Sequence, residues 1–264
     1  SSYGYDQILA QESLAQLDDI IALPIISDMS IDNPNNYSYQ YVPLRGLTKE
    51  TLQYYNVQSK IDGEGKPIEI AFPYTPDTLK IRSLTEKAFW SKGDMKSATL
   101  FGKDKFPKGS AKSITITEGE FDALSVYQML GSAYPAVSIR SASSAGADCK
   151  HEWEYLNSFE KIYLCFDNDE PGRKAKAQVA RLFDFNKVYD VDLSEYKDAN
   201  EFLVADKTDV FRRIWWNARR FLPEGIISSF SEFDSIIDTE KQKDAVSYPF
   251  PTVQQMTYGI RTGE

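Results

Sequence analysis

The spacing of apolar and polar residues changes along this chain and is most regular between residues 111 and 205. There, short β-branched or aromatic runs alternate with segments whose apolar residues recur at helical spacing. Short apolar runs joined through helical segments are typical of parallel strands with crossover helices. The pattern predicts an α/β domain over residues 111–205, with helices flanking a parallel sheet.

The elements of this domain follow from those runs. Strands are predicted at 114–117, 136–139, 161–166 and 188–193, and helices at 120–130, 152–159 and 173–182. Four apolar side chains of the first helix are predicted to be buried: Phe121, Leu124, Val126 and Tyr127. The small residues 141–147 are predicted to form a loop, which either contacts phosphate or is a tight connection.

The residues before the α/β domain show different patterns of apolar and polar positions. Residues 1–41 are predicted to hold an amphipathic helix at 5–21 and a polar linker. Residues 42–110 are predicted to form a smaller α+β subdomain in which Thr48 caps a short helix. Its strands are expected at 68–74 and 79–84, before a loop at 87–105.

The C-terminal part, residues 206–264, has helical periodicity at 210–221 and 229–240. We interpret this part as a helical linker that leads to a further domain.

Composition narrows the class of protein. The 264 residues are 42% hydrophobic, and no apolar run reaches the roughly 18 residues of a membrane span. Without a secretory signal, a cytoplasmic, non-secreted protein is expected. Two cysteines and one histidine cannot supply a four-ligand zinc site, and Cys165, inside an apolar run, is expected to be a buried thiol.

The net charge of −9 hides a basic stretch from Lys80 to Lys112, where nine basic residues face three acidic ones. The basic residues are Lys80, Arg82, Lys87, Lys92, Lys96, Lys103, Lys105, Lys108 and Lys112. Phe89, Trp90 and Phe101 lie among them. Such a stretch can hold phosphates and stack on bases. The alternative is a solvated loop whose aromatic residues are buried in the core.

Acidic residues follow two of the predicted strands. Glu118 and Asp122 come after the first strand, and Asp167 and Asp169 come after the third. Because parallel strands end at the same edge of a sheet, these carboxylates are expected to be close together. Clustered carboxylates repel unless a cation neutralises them, which indicates a Mg²⁺ or Mn²⁺ site. The alternative is a polar turn and a helix cap.

Two motifs together resemble a Toprim domain, the fold shared by primases, topoisomerases and some nucleases. They are Thr117-Glu118-Gly119-Glu120-Phe121-Asp122 and Phe166-Asp167-Asn168-Asp169-Glu170-Pro171-Gly172-Arg173. The chain is more specifically similar to the primase half of phage bifunctional primase-helicases, relatives of Twinkle. The supporting segments are 45–51, 96–103, 197–201, 222–225 and, resembling the entry to a helicase domain, 257–264.

The resemblance implies a DNA primase that makes short RNA primers from ribonucleoside triphosphates on single-stranded DNA. Glu118 and Asp122 would be catalytic. Asp167, Asp169 and Asp198 would bind the metal ions, although Asp198 taken alone is better explained as a helix cap. Phosphates of the nucleotide and template would be held by Lys80, Arg82, Lys87, Lys96 and Lys103.

Two other functions are weighed against this one. Some Twinkle relatives lack the acidic residues and only bind single-stranded DNA, but all four acidic positions are present here. A topoisomerase or nuclease is the other candidate, and the basic segment favours a primase over it. One departure concerns the Cys₄ zinc ribbon through which family members recognise a template trinucleotide, because these 264 residues contain none.

Overall fold

Two β-sheets share one hydrophobic core in this computed structural model. The structure describes residues 38–98 and 100–221, together with the backbone of two short paired strands, Ala245–Val246 and Ile260–Arg261. The helices predicted at 5–21 and 229–240 and the segments at 222–225 and 257–259 are outside the described residues. Within the described residues, no helix is long and apolar enough to cross a bilayer.

The first sheet is an antiparallel meander of five strands in the order β1-β2-β3-β4-β5. Its strands are β1 (Ser38–Gln40), β2 (Gln58–Ile61), β3 (Pro67–Thr75), β4 (Thr78–Ser83) and β5 (Phe89–Lys92). Helix α1 (Lys49–Tyr54) joins β1 to β2. Its N-cap is Thr48, whose side chain accepts a hydrogen bond from the Thr51 amide, as the sequence predicts.

The second sheet has six strands in the order β11-β10-β9-β7-β8-β6. Its strands are β6 (Leu100–Phe101), β7 (Ser113–Thr117), β8 (Ala136–Ile139), β9 (Lys161–Cys165), β10 (Val188–Asp190) and β11 (Arg219–Arg220). The four central strands are parallel, and both edge strands run antiparallel to their neighbours. The α/β class predicted from the sequence is confirmed.

Helices cover both faces of this sheet, which is why every residue of β7 and β8 is buried. The helices are α2 (Glu120–Met129), α3 (Ala145–His151), α4 (Trp153–Leu156), α5 (Glu170–Ala180), α6 (Ala199–Val204) and α7 (Thr208–Trp216). Phe121, Leu124, Val126 and Tyr127 of α2 are buried as predicted, and Cys165 is a buried free thiol.

Aromatic contacts join the two sheets. The Phe72 ring of β3 lies 5.2 Å from the Phe121 ring of α2, and Tyr55 donates its hydroxyl to the Ala136 carbonyl at 2.8 Å. Because both sheets bury side chains in this one core, the basic strands of the first sheet are held beside the strand ends of the second.

Several predicted boundaries were wrong. Residues 87–105 are not one loop, because β5, β6 and a 3₁₀ turn (Lys103–Lys105) form there. Residues 141–147 form a 3₁₀ turn and the start of α3. The polar segment predicted as a linker contains β1.

Helix lengths also differ from the prediction. Helix α5 begins at Glu170 because Asp169 caps it and Pro171 fits its first turn. Helix α4 has four residues, and α7 ends at Trp216 before β11. The division into four domains stays a prediction.

Candidate active site

The acidic residues meet at the carboxyl ends of β7 and β9. These strands are parallel neighbours in register, with Thr117 opposite Cys165. Glu118 follows β7 directly, and Asp167 stands two residues beyond β9. The shared edge explains why two motifs fifty residues apart form one site.

Glu118 is a partly exposed carboxylate at this edge, and its pKa is strongly raised. Its Oε2 atom is buried and has no hydrogen-bond partner among the described residues. Burial, and then the charges of Asp167 and Asp169, raise the pKa of Glu118 to about 7. A buried carboxylate oxygen without a donor, beside two more carboxylates, is suited to a cation.

Asp122 is buried in the first turn of α2. The backbone N–H of Asn200 donates to its Oδ1 atom at 3.0 Å, which fixes the start of α6 against α2. Burial, followed by the charges of Asp198 and Asp167, raises the pKa of Asp122 well above its usual range. Asp122 therefore connects the α2 and α6 parts of the site.

Lys197 provides a positive charge within the acidic cluster. Its Nζ atom lies 3.4 Å from Asp167 Oδ2 and 3.8 Å from Asp169 Oδ2. Its carbonyl accepts the Asn168 N–H at 2.9 Å, so the acidic loop and the start of α6 are tied together. The charge of Asp167 raises the pKa of Lys197, whereas burial and then the charge of Asp198 raise the pKa of Asp167.

Asp169 and Asp198 each cap a helix. Asp169 accepts the Gly172 amide at 2.9 Å, and Asp198 accepts the Glu201 amide at 2.9 Å. Asp198 therefore does cap α6, as the helix-cap interpretation predicts. It does not compete with metal binding, because each cap occupies one carboxylate oxygen and leaves the second one available.

Gly172 allows α5 to start directly under the acidic loop. A Cβ atom at this position would overlap the Asp167 carbonyl and lie 3.1 Å from Glu118 Oε2. A residue with a side chain would displace one or both, so the glycine holds Asp167 and Glu118 at their present separation.

A cleft of about 360 Å³ opens over these carboxylates. It is lined by Glu118, Asp122, Asp167, Asp198 and Arg82, five of the residues predicted from the sequence, together with Arg45, Arg140, Lys197 and Asn200. The Arg45 and Arg82 guanidinium groups lie 4.6 Å and 5.5 Å from the centre of the Phe121 ring. The cleft is therefore lined by both acidic and basic side chains.

The other predicted phosphate-binding residues lie elsewhere. Lys80 donates to Glu120 Oε1 at 2.6 Å and to the Arg140 carbonyl at 3.1 Å, which places it beside the cleft in an ion pair. Lys87 and Lys96 are exposed and do not line the cleft. Lys103 pairs with Glu152 at 2.6 Å in a separate cavity of about 760 Å³.

Sequence reasoning did not single out Arg45, Lys197 or Asn200 for this site. Asn200 donates through Nδ2 to the Arg45 carbonyl at 3.1 Å, a contact between residues 155 positions apart. The sequence did mark these positions indirectly. Arg45 lies in the segment 45–51 that supports the family resemblance, and Lys197 and Asn200 lie in the supporting segment 197–201. What the sequence does not show is that these segments meet.

Comparison with known proteins identifies the family. A Toprim-like family model matches residues 115–203, which include every acidic residue of the cleft. The DNA helicase/primase of Enterobacteria phage T3 is 32% identical over 257 residues, 91% of this chain. The crystallised primase fragment of the bacteriophage T7 primase-helicase is 32% identical, with a TM-score of 0.60 over 69% of this chain and 75% of the fragment. The chain belongs to the Toprim primases of phage primase-helicases.

Two further relatives agree with membership in this Toprim primase family. A chain in the structure of the T7 lagging-strand DNA polymerase with primase domains bound to an RNA/DNA hybrid and dTTP is 34% identical. It has a TM-score of 0.62 over 70% of the present chain and 95% of that one. The chloroplastic/mitochondrial Twinkle homologue of Arabidopsis thaliana is 26% identical over 74% of this chain. The chain spans 43% of the T3 protein and 30% of the Arabidopsis protein.

Proposed function

We propose that this Toprim primase chain synthesises short RNA primers on a single-stranded DNA template by metal-dependent nucleotidyl transfer, within a protein that also carries a helicase. The observation that carries the proposal is the cleft itself. Buried and partly buried carboxylates line it together with Arg45, Arg82 and Arg140. Nucleotidyl transfer needs cations around the transferring phosphate and a group that accepts the proton of the attacking hydroxyl.

The donor chemistry fits Mg²⁺ or Mn²⁺, which prefer oxygen ligands. Asp167, Asp169 and Asp198 are the proposed ligands, and the unpartnered Oε2 of Glu118 is a further oxygen at the same edge. Within the described residues, no three acidic, histidine or cysteine side chains are arranged to hold an ion as they stand. Lys197 lies between Asp167 and Asp169 instead. Metal binding would therefore require Lys197 to move away.

When bound, the metal ions would activate the primer 3′-hydroxyl and stabilise the charge of the leaving pyrophosphate. The protein side chains have separate tasks. Glu118, with a pKa of about 7, is the proposed acceptor of the hydroxyl proton. Arg45 is the proposed contact for nucleotide phosphates and Arg82 for template phosphates, because both line the cleft together with the carboxylates. Asp122 keeps Asn200 and the start of α6 in place.

The relatives support this assignment. The T3 relative is a DNA helicase/primase, and one T7 structure contains primase domains bound to an RNA/DNA hybrid and dTTP. An RNA/DNA hybrid is the product expected of RNA synthesis on a DNA template. A module that only binds single-stranded DNA, the alternative, would not require the carboxylates of Glu118, Asp167 and Asp198 to line one cleft.

Primer extension tests the proposal. The chain is incubated with Mg²⁺ or Mn²⁺, ribonucleoside triphosphates and a short RNA annealed to DNA, so that recognition of a start site is not needed. We expect extension by the wild type and its loss in Asp167→Ala and Asp169→Ala, with the exposed Asp192→Ala as the control. A wild type that binds the hybrid as tightly as both variants and extends nothing would support the binding-module alternative instead.

A further inference from the structure

Strand β5 is an exposed edge that the proposed chemistry does not use. All four of its residues are exposed, although it hydrogen-bonds to β4 along one side. The Phe89 side chain is 76% exposed and Trp90 is 42% exposed. A single exposed ring is ordinary on a protein surface, so its neighbours decide whether it marks a binding site.

The register of β5 against β4 assigns the two rings to different faces. Phe89 stands opposite Arg82, and Trp90 stands opposite Ile81. Residues directly opposite in an antiparallel pair share a face of the sheet. Arg82 lines the active-site cleft, so Phe89 is on the cleft face and Trp90 is on the other.

Lys80 gives independent support for this orientation. It is two residues before Arg82 in β4 and therefore on the same face. Its Nζ atom reaches Glu120 of α2 at 2.6 Å, beside the cleft. The Phe89 face of the first sheet thus faces the strand ends that carry the carboxylates.

The surroundings of Phe89 are basic. Lys87 is exposed and forms no ion pair with another described residue, whereas Lys92 stands opposite Leu79 and therefore shares the Trp90 face. Arg82, opposite Phe89, and Lys87, two residues before it, supply two positive charges next to the ring. An exposed ring among cations suits single-stranded nucleic acid, whose bases stack on aromatic rings while its phosphates contact basic side chains. A protein partner is less suited, because Phe89 and Trp90 lie on opposite faces and do not form one apolar patch.

We propose that Phe89 is a stacking platform for a base of the single-stranded DNA template beside the active-site cleft, with Arg82 and Lys87 contacting the template phosphates. The proposal rests on the proposed function and adds the template path to it. An exposed ring beside two cations matches the alternation of bases and phosphates along a polynucleotide. A single nucleoside triphosphate would bind at the carboxylates instead.

The test compares two rings on one strand. Fluorescence anisotropy gives the Kd of the whole chain for a labelled oligo(dT) without nucleotides, for the wild type, Phe89→Ala and Trp90→Ala. Base stacking on a single aromatic side chain predicts a Kd at least about fivefold weaker for Phe89→Ala. Trp90→Ala should stay within about twofold of the wild type. Phe89→Tyr, which keeps a stacking ring, should recover most of the affinity.

The outcomes separate this inference from the proposed function. Equal Kd values for Phe89→Ala and Trp90→Ala, or a wild type that does not bind oligo(dT), would overturn the inference. A Phe89→Ala variant that binds ATP more weakly but binds oligo(dT) as tightly as the wild type would also overturn the inference, since the ring would then contact the incoming nucleotide. A wild type that fails to extend primers while the Phe89 effect on oligo(dT) persists would reject the proposed function and leave the stacking platform standing.

Discussion

The Nζ atom of Lys197 lies 3.4 Å from Asp167 Oδ2, so the acidic edge of the sheet has a positive charge built into it. The lysine also lies 3.8 Å from Asp169 Oδ2. A lysine and a divalent cation cannot both stand between these two carboxylates. We infer that Lys197 neutralises them before metal binds, and then is displaced from them.

Replacement of Lys197 should therefore change metal affinity. In Lys197→Met, Mg²⁺ no longer competes with the ammonium group, and its Kd, measured by calorimetry, should tighten about two- to fivefold, as expected for a largely exposed ion pair. The melting temperature of the metal-free variant should fall because the carboxylates repel. Lys174→Met, which breaks an exposed pair with Glu170, is the matched control and should change neither value. A weaker Mg²⁺ Kd in Lys197→Met would contradict the competition.

The raised pKa of Glu118 predicts a pH dependence of stability. Its pKa in the folded chain is about 7, above the ordinary value of 4.5. The folded state thus holds the proton more tightly than the unfolded state. The stability from neutral Glu118 is present below the unfolded pKa and is lost as the pH rises through 7.

Glu118→Gln should remove this loss. In a chelating buffer, the variant should be more stable than the wild type at about pH 8 and close to it at about pH 4, as measured by thermal unfolding. Added Mg²⁺ should stabilise the wild type at the higher pH and affect the variant less. Glu195→Gln, at an exposed position, is the control. A stability difference between Glu118→Gln and the wild type that is equal at both pH values would contradict the assigned pKa.

Gly172 gives a prediction from sterics alone. Gly172→Ala places a Cβ atom against the Asp167 carbonyl, and the resulting shift should lower the free energy of unfolding by about 1–3 kcal/mol, measured with denaturant. Mg²⁺ affinity should fall as well, because Asp167 moves. Gly63→Ala is the matched control, since a Cβ there meets nothing within 4 Å. Equal stabilities of the two variants would show that the first turn of α5 tolerates a side chain.

Asn200 holds three segments of the cleft together. Its backbone N–H donates to Asp122, and its side chain donates to the Arg45 carbonyl at 3.1 Å and to Ser125 Oγ at 2.9 Å. Asn200→Ala removes a donor from the buried Ser125 hydroxyl and from the Arg45 carbonyl, and its free energy of unfolding should fall by about 1–3 kcal/mol. Asn217→Ala, which removes one exposed bond to Arg213, should cost less than about 0.5 kcal/mol. An equal loss of stability in Asn200→Ala and Asn217→Ala would contradict this role of the Asn200 side chain.

The acidic half of the site could be predicted from the sequence because local patterns determine it. Glu118 and Asp167 each follow an apolar strand, and parallel neighbours bring strand ends together. The Lys197 contact with Asp167 could not be predicted in this way. It depends on how the segment after β10 returns to the sheet, and no local pattern gives that path.

The wrongly predicted elements and contacts also depend on pairings that local sequence patterns do not show. Strand β1 lies in a polar segment because its pairing with β2 uses backbone groups, which any residue type provides. The opposite orientations of Phe89 and Trp90 follow from the register of β5 against β4, which the composition of the basic stretch does not show. Lys103 is basic like its neighbours, yet Glu152 holds it in a different cavity.

Metal rescue of primer extension tests the central claim most directly. If the Asp167 carboxylate is a ligand of the catalytic metal, Asp167→Cys should lose extension with Mg²⁺, which binds thiolate poorly, and regain part of it with Mn²⁺, which accepts sulfur more readily. Asp192→Cys, at an exposed position, should extend the primer with either metal. Extension by Asp167→Cys at the wild-type rate with Mg²⁺ would contradict the claim that this carboxylate holds the catalytic metal.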